Sequence, residues 1–282
     1  MPNIKVITDS SVQLSPEEIE KYGITVVPLS ITIDDKTYVD GEDITSTRKD
    51  FIQKMDNAKE LPKTSQPAIG RFVDEFKKLA ADGSQVLGIF MAKCLSGTVD
   101  AARQASELVD FDVTIFDSGY TDRAMGFEVL EAAKMAQADK NLDEIIARLK
   151  QMQEQMHLEM MVPDLTNIIK GGRLGALAGR VATLLNIRLF LEMTTNVLNI
   201  KAKGRGKKFT KKFNQDLIEQ VKNTPNIKHL GISYVDTPDD MEDLANELKK
   251  VNPNMDILVQ ETSPIIITHA GHGAYAVMFY SE

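Results

Sequence analysis

Four short polar turns, each beside an apolar run, carry the residues of this chain best suited to chemistry. They are Thr8-Asp9-Ser10-Ser11, Thr64-Ser65-Gln66-Pro67, Leu95-Ser96-Gly97-Thr98 and Thr268-His269-Ala270-Gly271-His272-Gly273. They share small hydroxyls, backbone N–H groups freed by Gly or Pro, and an imidazole. Such groups can converge on a small anionic or polar head without opposing it with a full positive charge. Thr64 and Ser65 also stand where they can cap a helix starting near Ala68, an ordinary task for these residue types. Capping is compatible with holding an anion at the same helix terminus.

Most familiar catalytic patterns are absent. No Gly-x-x-x-x-Gly-Lys-Ser/Thr phosphate loop occurs, and Gly271-His272-Gly273-Ala274-Tyr275-Ala276 lies too near the C-terminus to open a βαβ unit. Ser96 lacks the two flanking glycines of a nucleophile elbow. A serine hydrolase acting on acyl esters through Ser96 and His269, with Asp9 or Asp117 as third member, stands as the alternative function. Cys94, a lone cysteine beside an apolar run, reads as a small buried residue rather than a nucleophile. His269 and His272 have a His-x-x-His spacing but no clear third ligand, so no metal site is expected.

Strand and helix signals alternate over the first half. Strands are expected over residues 4–7, 25–33, 86–91 and 113–116, and helices over 68–81, 98–108, 124–138 and 142–156. Ser15-Pro16-Glu17-Glu18 opens a further helix with a cap, a proline at the first helical position and a capping box. This order implies parallel βαβ units, whose right-handed crossovers gather the turns after Ile7, Met91 and Phe116 at one sheet edge. The second half reads as mixed α+β. Its strand candidates are 157–162, 197–200, 229–234, 255–260, 265–268 and 274–280, the last two consecutive around a glycine turn. Helices are expected over 174–185, after Gly171-Gly172, and from Thr237-Pro238 to 251. The fold class is therefore α/β, an open parallel-sheet N-terminal domain over 1–156 followed by an α+β domain over 157–282.

The 282 residues suffice for two modest domains, and 43% hydrophobic content is ordinary for a globular protein. No apolar stretch approaches the ~20 residues of a membrane-spanning helix, and the N-terminus lacks a signal-peptide pattern. One cysteine allows no internal disulfide. A cytoplasmic location is expected. The formal charge of −8 argues against non-specific nucleic-acid binding. Seven basic residues and no acid nevertheless lie between Lys201 and Lys212. They read either as a solvated turn and helix start or as a docking patch for an acidic or phosphorylated partner.

Taken together, these motifs resemble those of the DegV family of fatty-acid-binding proteins, which includes the FakB subunits of bacterial fatty acid kinase. The resemblance runs nearly end to end: Thr8-Asp9-Ser10, Leu61-Pro62-Lys63-Thr64-Ser65-Gln66-Pro67, Leu95-Ser96-Gly97-Thr98, Asp117-Ser118, Gly171-Gly172-Arg173, the basic turn at Lys203 and Arg205, and Thr268-His269. It implies a long-chain fatty acid in a tunnel between two domains. The carboxylate would be held by Thr64 and Ser96 with His269 nearby, Ser65 being a further hydroxyl able to place it by its chemistry, and Asp9, Ser10, Gly97, Thr98, Asp117, Ser118 and Gly271 would stand in supporting turns. It further implies a carrier with no catalytic residue and no cofactor. A separate ATP-dependent kinase subunit would dock near Arg173, Lys203 and Arg205, and the acyl phosphate would feed phospholipid synthesis. Membrane contact would be at most transient. The chain departs from the family pattern at Arg188-Leu189-Phe190-Leu191, at His272, and at Gly119-Tyr120-Thr121-Asp122-Arg123, where a small, Ser-rich stretch is common.

Overall fold

The computed structural model describes residues 3–41, 48–175 and 186–281. Elements are numbered in chain order. The N-terminal part is a four-stranded parallel sheet of order β2-β1-β6-β7, formed by β1 (Ile4–Asp9), β2 (Thr25–Val27), β6 (Gln85–Phe90) and β7 (Val113–Asp117). Its central strands read as apolar runs because both faces are covered. Helices α3 (Ile69–Ala80) and α4 (Thr98–Ser106) pack on one face through Phe72, Phe76 and Val99 against Ile7, Val27 and Phe90. Helix α5 (Asp122–Gln137) covers the other, backed by α1 (Pro16–Tyr22) and α6 (Leu142–Gln155). The box expected at α1 is present: Ser15 Oγ accepts from Glu18 N, and the Glu18 carboxylate accepts from Ser15 N.

The C-terminal part is a six-stranded sheet of order β10-β9-β8-β13-β11-β12, antiparallel except for the β11–β12 pair. Its strands are β8 (Met156–Val162), β9 (Arg188–Thr194), β10 (Val197–Gly204), β11 (His229–Tyr234), β12 (Asp256–Glu261) and β13 (Tyr275–Tyr280). Helices α8 (Gly206–Asn223) and α9 (Pro238–Val251) bury Phe213, Leu217, Leu244 and Leu248 on its outer face. The inner face meets α5, which touches β1 and β6 on one side and β8, β11 and β13 on the other. Being enclosed between two sheets explains why α5 is buried nearly all round, with Asp122, Arg123 and Glu128 among its buried residues, rather than along one stripe.

A third sheet of order β4-β3-β5 joins β3 (Ser30–Ile33), β4 (Lys36–Val39) and β5 (Lys63–Ser65), and α2 (Arg48–Asn57) adds Phe51, Ile52 and Met55 to the same core. Short helices α7 (Thr166–Lys170) and α10 (Pro264–Ala270) complete the fold.

Several expectations change. The strand expected over 25–33 is two strands in different sheets, separated at Pro28-Leu29, where the Leu29 N–H donates to Ser10 Oγ (3.0 Å) instead of a ladder. The strand expected over 265–268 is helix α10. Ser263 Oγ accepts from Ile266 N and Pro264 takes the first position, the same start signal as Ser15-Pro16, and it outweighs the β-preference of three isoleucines. Thr237 precedes α9 but makes no capping bond, and its hydroxyl is buried with no partner among the described residues. Strand β9 and helix α2 had no counterpart in the periodicity, while α8 begins inside the basic run that also reads as a turn and helix start. The helix expected over 174–185 lies, beyond Gly175, outside the described residues. No described helix is long and apolar enough to cross a membrane.

Candidate functional site

Parallel strands end on a common edge, and the turns after β1, β6 and β7 meet there as expected. Asp9 is fully buried and draws them together. Its Oδ1 accepts from Ser11 N (2.9 Å) and Ser11 Oγ (2.6 Å), and its Oδ2 accepts from Met91 N (2.8 Å). Burial pushes this carboxyl up, and the three donors pull it back. The Asp117 carboxylate accepts from Gly119 N (2.9 Å) and Asn196 Nδ2 (2.8 Å), while Ser118 Oγ accepts from Tyr120 N (3.2 Å). Ser10 supports Leu29 and hydrogen-bonds Asp40. These residues build the edge but do not line the cavity beside it.

That cavity lies between the two sheets and holds about 690 Å³ of empty space, its mouth included. Thr64, Ser96, His269 and Arg173 line its polar end, and Met91, Met160, Met193 and Leu198 are among its apolar walls. A second cavity of about 400 Å³ shares Thr121, Met160, Val162, Ile266 and Ala270 with it and extends inward to Met278.

Three distant segments converge at the polar end. Thr64 sits on β5, paired with Ile31 of β3, and its Oγ1 is 2.7 Å from His269 Nε2 at the end of α10. Ser96 Oγ is 2.8 Å from Thr98 Oγ1. Gly97, which precedes α4, admits Gln66: a Cβ there would stand 2.2 Å from Gln66 Oε1. The Thr-Ser-Gln-Pro and Leu-Ser-Gly-Thr turns therefore interlock. Gly171 does the same for the imidazole, since a Cβ would stand 2.4 Å from His269 Nδ1.

His269 is held neutral. Burial first, and then the nearby Arg173 charge, pull its pKa down to about 4. Its Nδ1 has no hydrogen-bond partner among the described residues. His272 behaves oppositely: exposed, and 2.7 Å from Asp56, it is raised by that carboxylate. Because the folded pKa of His269 lies below the ordinary 6.5, the stability it contributes is complete above about pH 6.5 and is lost as pH falls toward 4. An NMR titration should show the His269 ring unprotonated from pH 8 to pH 5, while His272 titrates above 6.5.

Other expected site residues stand elsewhere. Ser65 points to the opposite face of β5 and is exposed, and neither Thr64 nor Ser65 caps α3. Gly271 ends α10 at a φ of 75°. Lys203 and Arg205 are exposed, on β10 and just before α8, and do not line the cavity. Arg173 does, while its Nη1 donates to Gly171 O (2.7 Å) and its Nε to Leu95 O (3.3 Å). No Ser–His–Asp array forms among the described residues, because His269 Nε2 faces Thr64 rather than Ser96 and no carboxylate meets its Nδ1.

Asn196, which no motif flagged, closes one flank. At the β9–β10 turn it donates from Nδ2 to Asp117, accepts at Oδ1 from Cys94 N (3.3 Å), and donates its own N–H to Gly119 O (2.9 Å). Its φ is 59°, a region Asn tolerates and Ala does not. Asn196→Ala should cost about 2–3 kcal/mol in denaturant unfolding.

The DegV family model, described as an uncharacterised protein of that family, matches residues 3–282. A DegV domain-containing protein of Streptococcus pneumoniae is 41% identical over 278 residues, covering 99% of this chain and 98% of that one. Among solved structures, DegV of Bacillus subtilis, described as a fatty acid binding protein, superposes with a TM-score of 0.91 at 27% identity over 100% of both chains. A DegV family protein of Thermus thermophilus, described for its fatty acid binding, gives 0.89 at 26% identity, over 99% of this chain and 100% of that one. The chain belongs to the DegV family.

Proposed function

We propose that this protein binds a long-chain fatty acid in the cavity between its two sheets and acts as a carrier, not as the catalyst. The observation that carries this reading is the placement of Thr64, Ser96, His269 and Arg173 at one end of a largely apolar space whose walls include Met91, Met160 and Met193. Burying a sixteen-carbon chain is worth on the order of 12 kcal/mol by transfer alone, before immobilisation costs. The tail therefore supplies most of the affinity. The head group needs only to be placed and kept hydrogen-bonded, because a buried carboxylate without partners is very costly.

The imidazole decides which way the Thr64 proton points. An N–H buried without a partner is costlier to leave than a bare ring nitrogen, so the orphaned Nδ1 favours the tautomer protonated at Nε2. That Nε2–H donates to Thr64 Oγ1, leaving the threonine hydroxyl proton free to donate to the ligand carboxylate. Ser96, bonded to Thr98, supplies a second hydroxyl. Neither is a cation, and the guanidinium of Arg173 at the same end already donates to Gly171 O and Leu95 O, so the hydroxyls leave the carboxylate oxygens available to an incoming phosphoryl group.

In this reading a separate ATP-dependent kinase subunit phosphorylates the bound carboxylate. It docks over the opening near Arg173 and the exposed Lys203 and Arg205, and the acyl phosphate feeds phospholipid synthesis. Mass spectrometry of protein purified from a bacterial host, native and then solvent-extracted, tests the carrier function. One long-chain fatty acid per chain is expected. A protein that is empty and takes up neither palmitate nor oleate would overturn the proposal.

A further inference from the structure

The stretch Gly119 to Arg123 leads into a buried polar cluster at the inner cavity. Asp122 is 4% exposed, and it lines that cavity with Ser233 and Thr262, each 2% exposed. Asp122 opens α5 at a φ of 59°, whereas Ser233 lies on β11 and Thr262 follows β12. The cluster thus joins the N-terminal part to the C-terminal sheet.

Its hydrogens do not balance if Asp122 is ionised. Ser233 Oγ stands 2.6 Å from Asp122 Oδ1 and 2.5 Å from Gln13 Oε1. A serine hydroxyl has one proton, and a carboxylate and an amide oxygen have none to offer. Two contacts this short cannot both be hydrogen bonds on one proton. Turning the Gln13 amide over does not help, because its nitrogen donates to Gln260 O at 3.2 Å, and the turn would set two carbonyl oxygens against each other. The missing proton belongs on Asp122.

We propose that Asp122 is a neutral carboxylic acid at pH 7, the first donor of a one-directional relay that ties the two parts of the fold together behind the ligand tail. Asp122 Oδ1–H donates to Ser233 Oγ, Ser233 O–H to Gln13 Oε1, and Gln13 Nε2–H to Gln260 O, across the boundary between the sheets. Thr262 Oγ1 donates to Asp122 Oδ2 (2.6 Å), and Arg123 N donates to Oδ1 (2.8 Å). A protonated acid satisfies every partner and leaves the inner wall uncharged where an apolar chain would lie.

The electrostatic surroundings agree. Burial drives the Asp122 carboxyl upward, against the pull of the hydroxyls and of Arg123. The Arg123 guanidinium is largely neutralised by a two-pronged pair with Glu18 on α1, with both contacts at 2.7 Å. Arg48 on α2 donates its Nε to Thr262 O (2.8 Å), and Glu261 at the end of β12 accepts from Asp236 N (3.1 Å). None of these groups hydrogen-bonds the Asp122 carboxyl through its side chain.

The test is carboxyl ¹³C NMR of aspartate-labelled, delipidated protein. One aspartate should resonate as a protonated acid at pH 7 and be missing from Asp122→Asn. If that variant does not fold, Ser233→Ala makes the assignment, because removing the relay hydroxyl must move the same resonance. All aspartates appearing as carboxylates at pH 7 would overturn the proposal. An acid whose pKa is raised on folding contributes fully below its unfolded pKa and loses that contribution as pH rises to the folded pKa. Wild-type stability should therefore fall relative to Asp122→Asn as pH rises from the ordinary carboxylate range up to the Asp122 titration and level off above it, and a constant difference across that range would count against the relay. A further arm rests on the fatty-acid reading. Palmitate affinity of the wild type should drop by up to tenfold per pH unit above that titration, a slope absent from Asp122→Asn. Failure of both proteins to bind palmitate at any pH would overturn the carrier function, while the NMR result would still decide the protonation.

Discussion

Thr64→Ala/Ser96→Ala is expected to lower fatty-acid affinity by about 100-fold or more, since each hydroxyl bond to a buried charge is worth roughly 1.5–3 kcal/mol. Titration calorimetry of delipidated protein would measure it. Ser96→Ala is the cleaner single change, because its removal leaves only the Thr98 hydroxyl to find another partner. Thr64→Ala also strips His269 Nε2 of its partner, so both ring nitrogens would be buried without a bond, and a melting point lower by a few degrees should accompany the lost affinity. Ser65→Ala separates the geometry from the motif. Ser65 is exposed on the far face of β5, so affinity should be unchanged, although the resemblance groups it with Thr64. Equal losses from Ser65→Ala and Thr64→Ala would mean that the arrangement of β5 is wrong.

The largest stability effect is expected at Asp9. Asp9→Ala should cost about 3–5 kcal/mol in denaturant unfolding, since each buried donor left without an acceptor costs roughly 1–3 kcal/mol. Ser11 N and Met91 N would be left buried with no acceptor, and Ser11 Oγ would keep only the Thr121 hydroxyl at 3.1 Å. The Met91 contact matters beyond its own energy, because it ties the end of β6 to the end of β1 and so aims the turn that carries Ser96. Binding should therefore weaken in Asp9→Ala even under conditions where the variant remains folded. A loss below about 1 kcal/mol would show that the turns hold themselves without this carboxylate.

Local patterns were legible wherever chemistry and periodicity act within a few residues. The parallel N-terminal order, the Ser15-Pro16-Glu17-Glu18 box and the shared edge of the turns after β1, β6 and β7 all follow from alternation, capping and crossover handedness. Thr64, Ser96 and His269 stood out as small hydroxyls and an imidazole beside glycine or proline turns, the resemblance grouped them, and the fold brings all three to one cavity. Helix α10 was misread because Ile265-Ile266-Ile267 has the composition of a strand, although Ser263-Pro264 carried the correct signal.

What the amino-acid order determined alone was the family, the α/β class and the residue types at the head of the site. Only the tertiary structure decided which of those residues share a space. It turned Ser65 away from Thr64, since neighbours on a strand face opposite sides. It brought His269 to Thr64 rather than Ser96, through the steric gap left by Gly171. It also placed Asp122, Ser233 and Gln13, separated by up to 220 residues, around a single proton. Contacts between distant segments depend on how two sheets pack on one helix, and no local pattern records that packing.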